Sequence, residues 1–193
     1  MARPSLKDER RASILEAYGR CVARFGVEGA TLERTAEEAG LARALIRHNV
    51  GNKEELFDAL VGRFMEQAAD SSAQLFDSLP DDDRLTTLID WLFDTRNSDP
   101  YVVSLTNALI TAAIDRPELA RLLRRSTEEF AMQLGTEVKA AFPNADSDEI
   151  DAVANGIAAI YFNLDTMTPL GRVSKLRRSS QLAAQLLLSS LEH

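Results

Sequence analysis

Three basic side chains stand close together in one short segment: Arg43, Arg47 and His48. On a helix, positions i, i+4 and i+5 project to one side. Two guanidiniums and an imidazole on one exposed helical face suit hydrogen bonding to base edges and phosphates in a DNA major groove. On an ordinary surface helix the same residues would only be a solvated polar face, so their context decides. Thr31 and Lys53 flank the cluster as further donors.

That context is residues 30–57, ATLERTAEEAGLARALIRHNVGNKEELF. The pattern predicts a short helix over 32–39 with Leu32, Ala36 and Ala39 on one face. Thr31 precedes it as a side-chain cap for free backbone N–H groups. Gly40 follows as a stop, where a left-handed backbone costs little. A second short helix over 42–49 turns Leu45 and Ile46 inward, and Ala36 and Ala39 are small enough to let it cross closely. Two short helices joined by a tight turn containing Gly make a helix-turn-helix. Ahead of them, residues 7–25 form a helix whose Ile14, Tyr18, Cys21, Val22 and Phe25 cover the pair, ended by Gly26. Behind them, residues 49–52 form a turn. A long helix then runs from Lys53 to Phe76 with Leu56, Leu60 and Phe64 as its inner stripe. Glu54 and Glu55 suit its positive end; Lys53 does not, and a phosphate there would offset it.

Residues 11–60 resemble the N-terminal domain of TetR-type (TetR/AcrR) transcriptional regulators. The matching residues are Ile14-Leu15-x-Ala17, Phe25-Gly26, Gly29-Ala30-Thr31, Ala39-Gly40-Leu41 and Lys53-Glu54-Glu55-Leu56. This covers about a quarter of the chain; the remainder is similar only in length and helical character. The resemblance implies an all-helical homodimer that binds operator DNA and releases it when a small ligand enters the C-terminal domain. It also implies that Lys53 contacts the operator backbone. The family's recognition helix often ends Tyr-x-His-Phe, whereas this chain has Arg47, His48, Asn49 and Val50. Arg47 thus replaces an aromatic that touches a phosphate. Ala42 and Ala44 stand where Ser and Gly are common. On this reading Arg43 and His48 read bases, while Thr31, Arg47 and Lys53 hold phosphates.

The net charge of −8 over 193 residues argues at first against nucleic acid. The charge is unevenly placed, however. Residues 1–63 hold 11 Lys/Arg against 10 Asp/Glu, and residues 64–193 hold 11 against 20. Binding must therefore rest on where the cations sit rather than on bulk charge. At 45% hydrophobic residues the chain is long and apolar enough to bury a core. No apolar run approaches a membrane span, and Met1-Ala2-Arg3-Pro4-Ser5 does not open a secretory signal. Arg3 and Lys7 belong to a polar N-terminal arm. The single cysteine, Cys21, reads as a buried structural thiol in a reducing cytoplasm. Leu191-Glu192-His193 reads as an expression-tag remnant.

The rest of the chain reads as helices over 84–97, 100–114, 115–142, 147–166 and 172–191. The expected class is all-α, with a helix-turn-helix domain at 1–52 and an effector-binding and dimerisation domain at 53–193. The long helix after Lys53 spans both and is the expected lever between them. The last two helices carry small residues (Ala152, Ala154, Gly156, Ala158, Ala159; Ser179, Ser180, Ala183, Ala184). Ile150, Ile157, Ile160, Leu182, Leu186 and Leu187 supply burial. These helices could pack within one subunit or form a four-helix dimer interface, which position and the resemblance favour. Two recognition helices would then sit roughly 34–36 Å apart on a palindrome.

Residues 101–114 are apolar on nearly every side, which predicts a central helix. Yet the segment contains Thr106, Asn107 and Thr111 beside Tyr101, and its expected neighbours supply Phe64, Trp91, Phe130, Tyr161 and Asn163. A few polar groups within an aromatic wall suit a pocket for a small hydrophobic effector. A closed core with these side chains bonded to backbone is the competing reading, and the resemblance favours the pocket. Catalysis lacks support: there is no His-Glu-x-x-His, Cys pair, Gly-x-Ser-x-Gly or phosphate-cradling Gly loop, and neither metal nor cofactor is expected. A helical protein-interaction module that binds neither DNA nor a small ligand is the alternative.

Overall fold

The computed structural model describes residues 6–171 and 173–192. The polar arm with Arg3, the expected helix start at Arg172 and the terminal His193 lie outside the described residues. The all-α expectation is met: the described residues form nine α-helices joined by turns and short 3-10 segments. They are α1 (Leu6–Gly29), α2 (Leu32–Ala39), α3 (Arg43–Val50), α4 (Lys53–Asp77), α5 (Arg84–Leu92), α6 (Pro100–Ala112), α7 (Pro117–Ala141), α8 (Ser147–Met167) and α9 (Ser174–Ser189). They separate into two compact units, one of residues 1–67 with 104–122, the other of residues 68–103 with 123–193.

In the first unit, Ile14, Tyr18 and Val22 of α1 are fully buried, with Ile46 of α3 and Leu56 of α4. Cys21 is buried too, and that burial, with Glu38 nearby, pushes its thiol above the ordinary range. The α1 stripe stops earlier than its spacing predicts. Phe25 is exposed, flanked by the guanidiniums of Arg24 and Arg34 at 5.0 and 4.5 Å from its ring centroid. The backbone breaks one residue later at Gly26 (φ 71°, ψ 170°), and the helix resumes for one more turn to Gly29.

The second unit has its own core. Leu88, Leu92, Leu134, Val138, Ile157, Leu164 and Ala184 are essentially inaccessible within it. Phe76, Phe130, Tyr161 and Phe162 form an aromatic cluster with centroid separations of 5.4–5.8 Å. Arg84 bonds the Glu137 carboxylate at 2.9 and 2.7 Å and also donates to the carbonyls of Phe76 and Leu79. Helix α5 ends at Leu92, short of the expected 97. Asp94 there accepts from Arg96 N–H at 2.9 Å and starts a 3-10 turn, Thr95–Asn97. An Asx side chain offers the backbone an alternative to continuing a helix.

Helix α6 is not the all-round buried helix that its composition predicts. It buries Val103, Leu105 and Leu109, while Val102 and Ile110 are exposed, as is Ile114 in the following 3-10 turn. A helix packed along one stripe buries every third or fourth residue whatever the hydropathy of its other faces.

Candidate nucleic-acid interface and effector region

The geometry of the first unit is set by its caps. Thr31 sits in extended backbone, and its hydroxyl accepts from Arg34 N–H at 3.3 Å. Gly40 adopts the left-handed conformation (φ 65°) and closes α2 through bonds to the carbonyls of Ala36 and Glu37. The chain then turns into α3, whose Ile46 and Val50, one turn apart, form the buried stripe. Leu45 lies at the edge of that stripe and is exposed, not inward as predicted. Arg43, Arg47 and His48 are all exposed on α3.

The α3–α4 junction is held by a reciprocal pair of bonds that sequence inspection missed. Asn52 Oδ1 accepts from Glu55 N–H at 3.0 Å, and Glu55 Oε2 accepts from Asn52 N–H at 2.8 Å. This is a capping box, and its signal, an Asx followed three residues later by Glu, was present in the sequence.

Two of the predicted phosphate- and base-contacting cations are already paired. Arg43 meets Glu33 at 2.6 Å. A backbone hydrogen bond, with Arg43 adding its charge, holds the Glu33 carboxyl below its ordinary range. Lys53 Nζ donates to the backbone carbonyl and the carboxylate of Glu28, both at 3.3 Å. The countercharge at the start of α4 is therefore a protein carboxylate. No ion pair engages Arg47 or His48 among the described residues. Arg116, from the turn before α7, bonds Glu54 at 2.8 Å, lies 3.7 Å from Glu28 and stacks 4.5 Å over the Phe57 ring. Its hydrogen bond holds the Glu54 carboxyl low. Glu28 and Arg116 had no sequence signal, because each lies far along the chain from its partner.

The residues predicted to line an effector pocket fall in both units. Phe64, Asn107 and Thr111 belong to the first, and Trp91, Tyr101, Phe130, Tyr161 and Asn163 to the second. Thr111 is exposed, and its hydroxyl donates to the Asn107 carbonyl at 3.0 Å. Tyr101 and Asn163 are exposed as well. In the second unit Phe130 and Tyr161 stack at 5.8 Å with 27° between their rings. Trp91 is half-buried against the same core.

One group of that core is charged. Arg177 is 6% exposed, and its Nε and Nη1 are buried with no hydrogen-bond partner. A buried donor left unsatisfied costs about 1–3 kcal/mol. The nearby Asp165 carboxylate accepts from Ser98 Oγ at 3.1 Å and from the Tyr161 hydroxyl. Burial raises the Asp165 carboxyl, opposed by these donors and by the Arg177 charge. Burial and Asp165 together raise the Tyr161 phenol. Asp94, hydrogen-bonded to Arg96, is held down to about 2, with a smaller contribution from Arg177. Separately, an open cleft of about 530 Å³ is lined by Arg84, Glu137, Phe142 and Leu188 among others, and it contains none of the predicted residues.

Among the described residues no group of three or more His, Cys, Asp or Glu is placed to hold a metal ion. No described helix is long and apolar enough to cross a membrane.

No protein-family model matches the chain. It is 24% identical over 166 residues to the HTH-type transcriptional regulator BetI of Stenotrophomonas maltophilia, spanning 85% of this chain and 83% of the relative. Its fold is similar to that of a TetR transcription regulator from Haloarcula marismortui (TM-score 0.74, 18% identity, 94% and 97% of the two chains covered). It is also similar to a transcriptional regulator from Saccharomonospora viridis solved in complex with choline (TM-score 0.72, 19% identity, 96% of each chain covered).

Proposed function

We propose that this chain, which has the fold and the relatives of a TetR-type transcriptional regulator, is a repressor. In this reading it binds a palindromic operator as a homodimer in the cytoplasm and leaves it when a small, largely apolar effector binds. Residues 1–52 read the DNA, and residues 53–193 bind effector and dimerise. The observation that carries the reading is the outer face of α3, where Arg43, Arg47 and His48 are exposed. The capped turn behind it fixes that face in place. Arg43 and His48 read base edges; Thr31, Arg47 and Lys53 hold phosphates. Phosphate oxygens would replace the Glu28 carboxylate at Lys53, and a base or phosphate would replace Glu33 at Arg43. A fold neighbour that holds choline supports small-molecule control over a pure protein-interaction role.

The test is binding to DNA from upstream of the protein's own gene, measured by fluorescence anisotropy across a salt series. Lys53→Ala should weaken binding to every sequence alike and reduce the salt slope by about one. Arg43→Ala should cost about 1–3 kcal/mol and relax preference at one position. An altered preference with unchanged slope for Lys53→Ala would overturn the division of roles. No binding by the wild type to any operator-length duplex would overturn the reading itself.

A further inference from the structure

Helix α9 turns one face inward. Arg177, Ala184 and Leu191 just beyond its end are buried at seven-residue spacing, and Leu188 is half-buried on the same side. Three of these four positions carry the small or apolar groups that a packed face requires; Arg177 does not. A guanidinium stays ionised at any accessible pH. Its burial therefore puts a permanent positive charge in the core of the second unit. Buried charges in proteins are paired, yet Arg177 forms no ion pair among the described residues, and two of its three nitrogens are buried without an acceptor. Asp165 is close enough to feel its charge, but the donors its carboxylate accepts from are Ser98 and Tyr161, not Arg177.

We propose that Arg177 is the anion-recognition group of the effector site, so that the effector carries a carboxylate on an apolar body. The inference rests on the reading that this unit binds an effector, and it names that effector's chemical class. Nη2 lies between Nε and Nη1 on the guanidinium, so either edge offers a carboxylate two parallel N–H bonds. Tyr161 joins the two halves of such a site. Its hydroxyl lies on Asp165 within the field of Arg177, and its ring stacks on Phe130. Phe130 in turn contacts Phe76 and Phe162. A cationic ligand such as choline would meet the like charge of Arg177 here.

The experiment titrates the full-length protein with a panel of aryl and alkyl carboxylates, each with its neutral amide, and with choline. Trp91 fluorescence and thermal melting report binding, and operator anisotropy reports release. An acid should bind, with its amide about 10–100-fold weaker, the span expected for loss of a charged hydrogen bond. Arg177→Met should lose the same factor for the acid and leave the amide unchanged. Without ligand this variant should melt no lower than the wild type, because it removes no native hydrogen bond. A marked drop would mean that Arg177 is a structural partner and would overturn the proposal. So would equal binding of acid and amide, binding of choline alone, or no binding of any acid. Arg177→Lys, which keeps the charge but loses the fork, must also weaken the acid selectively. Arg177-dependent acid binding with no release of DNA would leave the anion site standing and remove the regulatory reading. Release by amide or choline but not by acid would do the reverse.

Discussion

At the scale of single residues, two of the cations proposed to meet DNA, Arg43 and Lys53, are paired with the carboxylates of Glu33 and Glu28. Glu28 bridges Lys53 at 3.3 Å and Arg116 at 3.7 Å while its own side chain is 85% exposed. Such a surface pair adds little stability, but its charge would stand next to DNA. Replacing Glu28 with Gln removes that negative charge and the ion pair with Lys53, leaving the bond from Lys53 to the backbone carbonyl of residue 28. The expected result is tighter binding to specific and scrambled duplexes alike, by several-fold at low salt and fading as salt screens the charge. Anisotropy at two ionic strengths checks it; tighter binding to the specific duplex alone would mean that Glu28 acts by geometry instead. The basic side chains themselves were legible in the sequence, since Arg43, Arg47 and His48 share a helical face by spacing alone. Their counter-carboxylates were not, because Glu28 meets Lys53 and Arg116 only after folding. Arg177 could have been noticed as a charge on an otherwise apolar α9 stripe, but nothing in the sequence says that a buried guanidinium lacks an acceptor.

At the scale of elements, α2 was readable to the residue, because its cap and its stop are both encoded locally by Thr31 and Gly40. Boundaries set by tertiary packing or side-chain bonds were less so. Helix α5 stops at an Asp94 turn that hydropathy does not register, and α6 exposes Val102 and Ile110 despite a largely apolar sequence. The α3–α4 junction gives the sharpest element-level prediction. Gly51 has φ 78° and ψ −138°, and a Cβ there would lie 1.8 Å from Glu55 Oε2. Gly51→Ala must therefore strain the backbone and also push Glu55 off the Asn52 N–H. Gly40 has a comparable φ of 65°, but a Cβ there would meet nothing within 4 Å. Gly40→Ala should cost about 1–2 kcal/mol for the left-handed backbone alone. Gly51→Ala should cost more, by about 0.5–2 kcal/mol for the lost cap. Urea denaturation of the two variants ranks them, and an equal loss would mean that Glu55 moves aside without consequence. Because the junction orients α3 relative to α4, Gly51→Ala should also weaken operator binding beyond its effect on stability.

At the scale of the whole molecule, the proposed function requires two reading units on one operator. The second unit leaves one helical face uncovered. On α8, Ala152, Asn155, Ala159 and Asn163 are exposed at spacings of three and four. On α9, Leu182 and Leu186 are 56% and 62% exposed one turn apart. The sequence predicted that these leucines supply burial, and within one chain they do not. Ala154, Ala158 and Ile157 face inward instead, and α8 approaches α9 closely enough that a Cβ on Gly156 would lie 3.1 Å from Leu187. The small residues of α8 thus serve two faces, one packed within the subunit and one open. We expect the open face, with Leu182 and Leu186, to be the homodimer interface. Changing both leucines to Glu would place unpaired charges at its centre while leaving the buried core of the unit untouched. The variant should fold with an unchanged helical spectrum, sediment as a monomer at micromolar concentration and bind operator about 10²–10⁴-fold more weakly, because each half-site is then met separately. Binding to a single half-site should hardly change. Sedimentation velocity and anisotropy on full-site and half-site duplexes separate these outcomes. A variant that stays dimeric would place the interface elsewhere, and a wild type that sediments only as a monomer would remove the dimer from the proposed function.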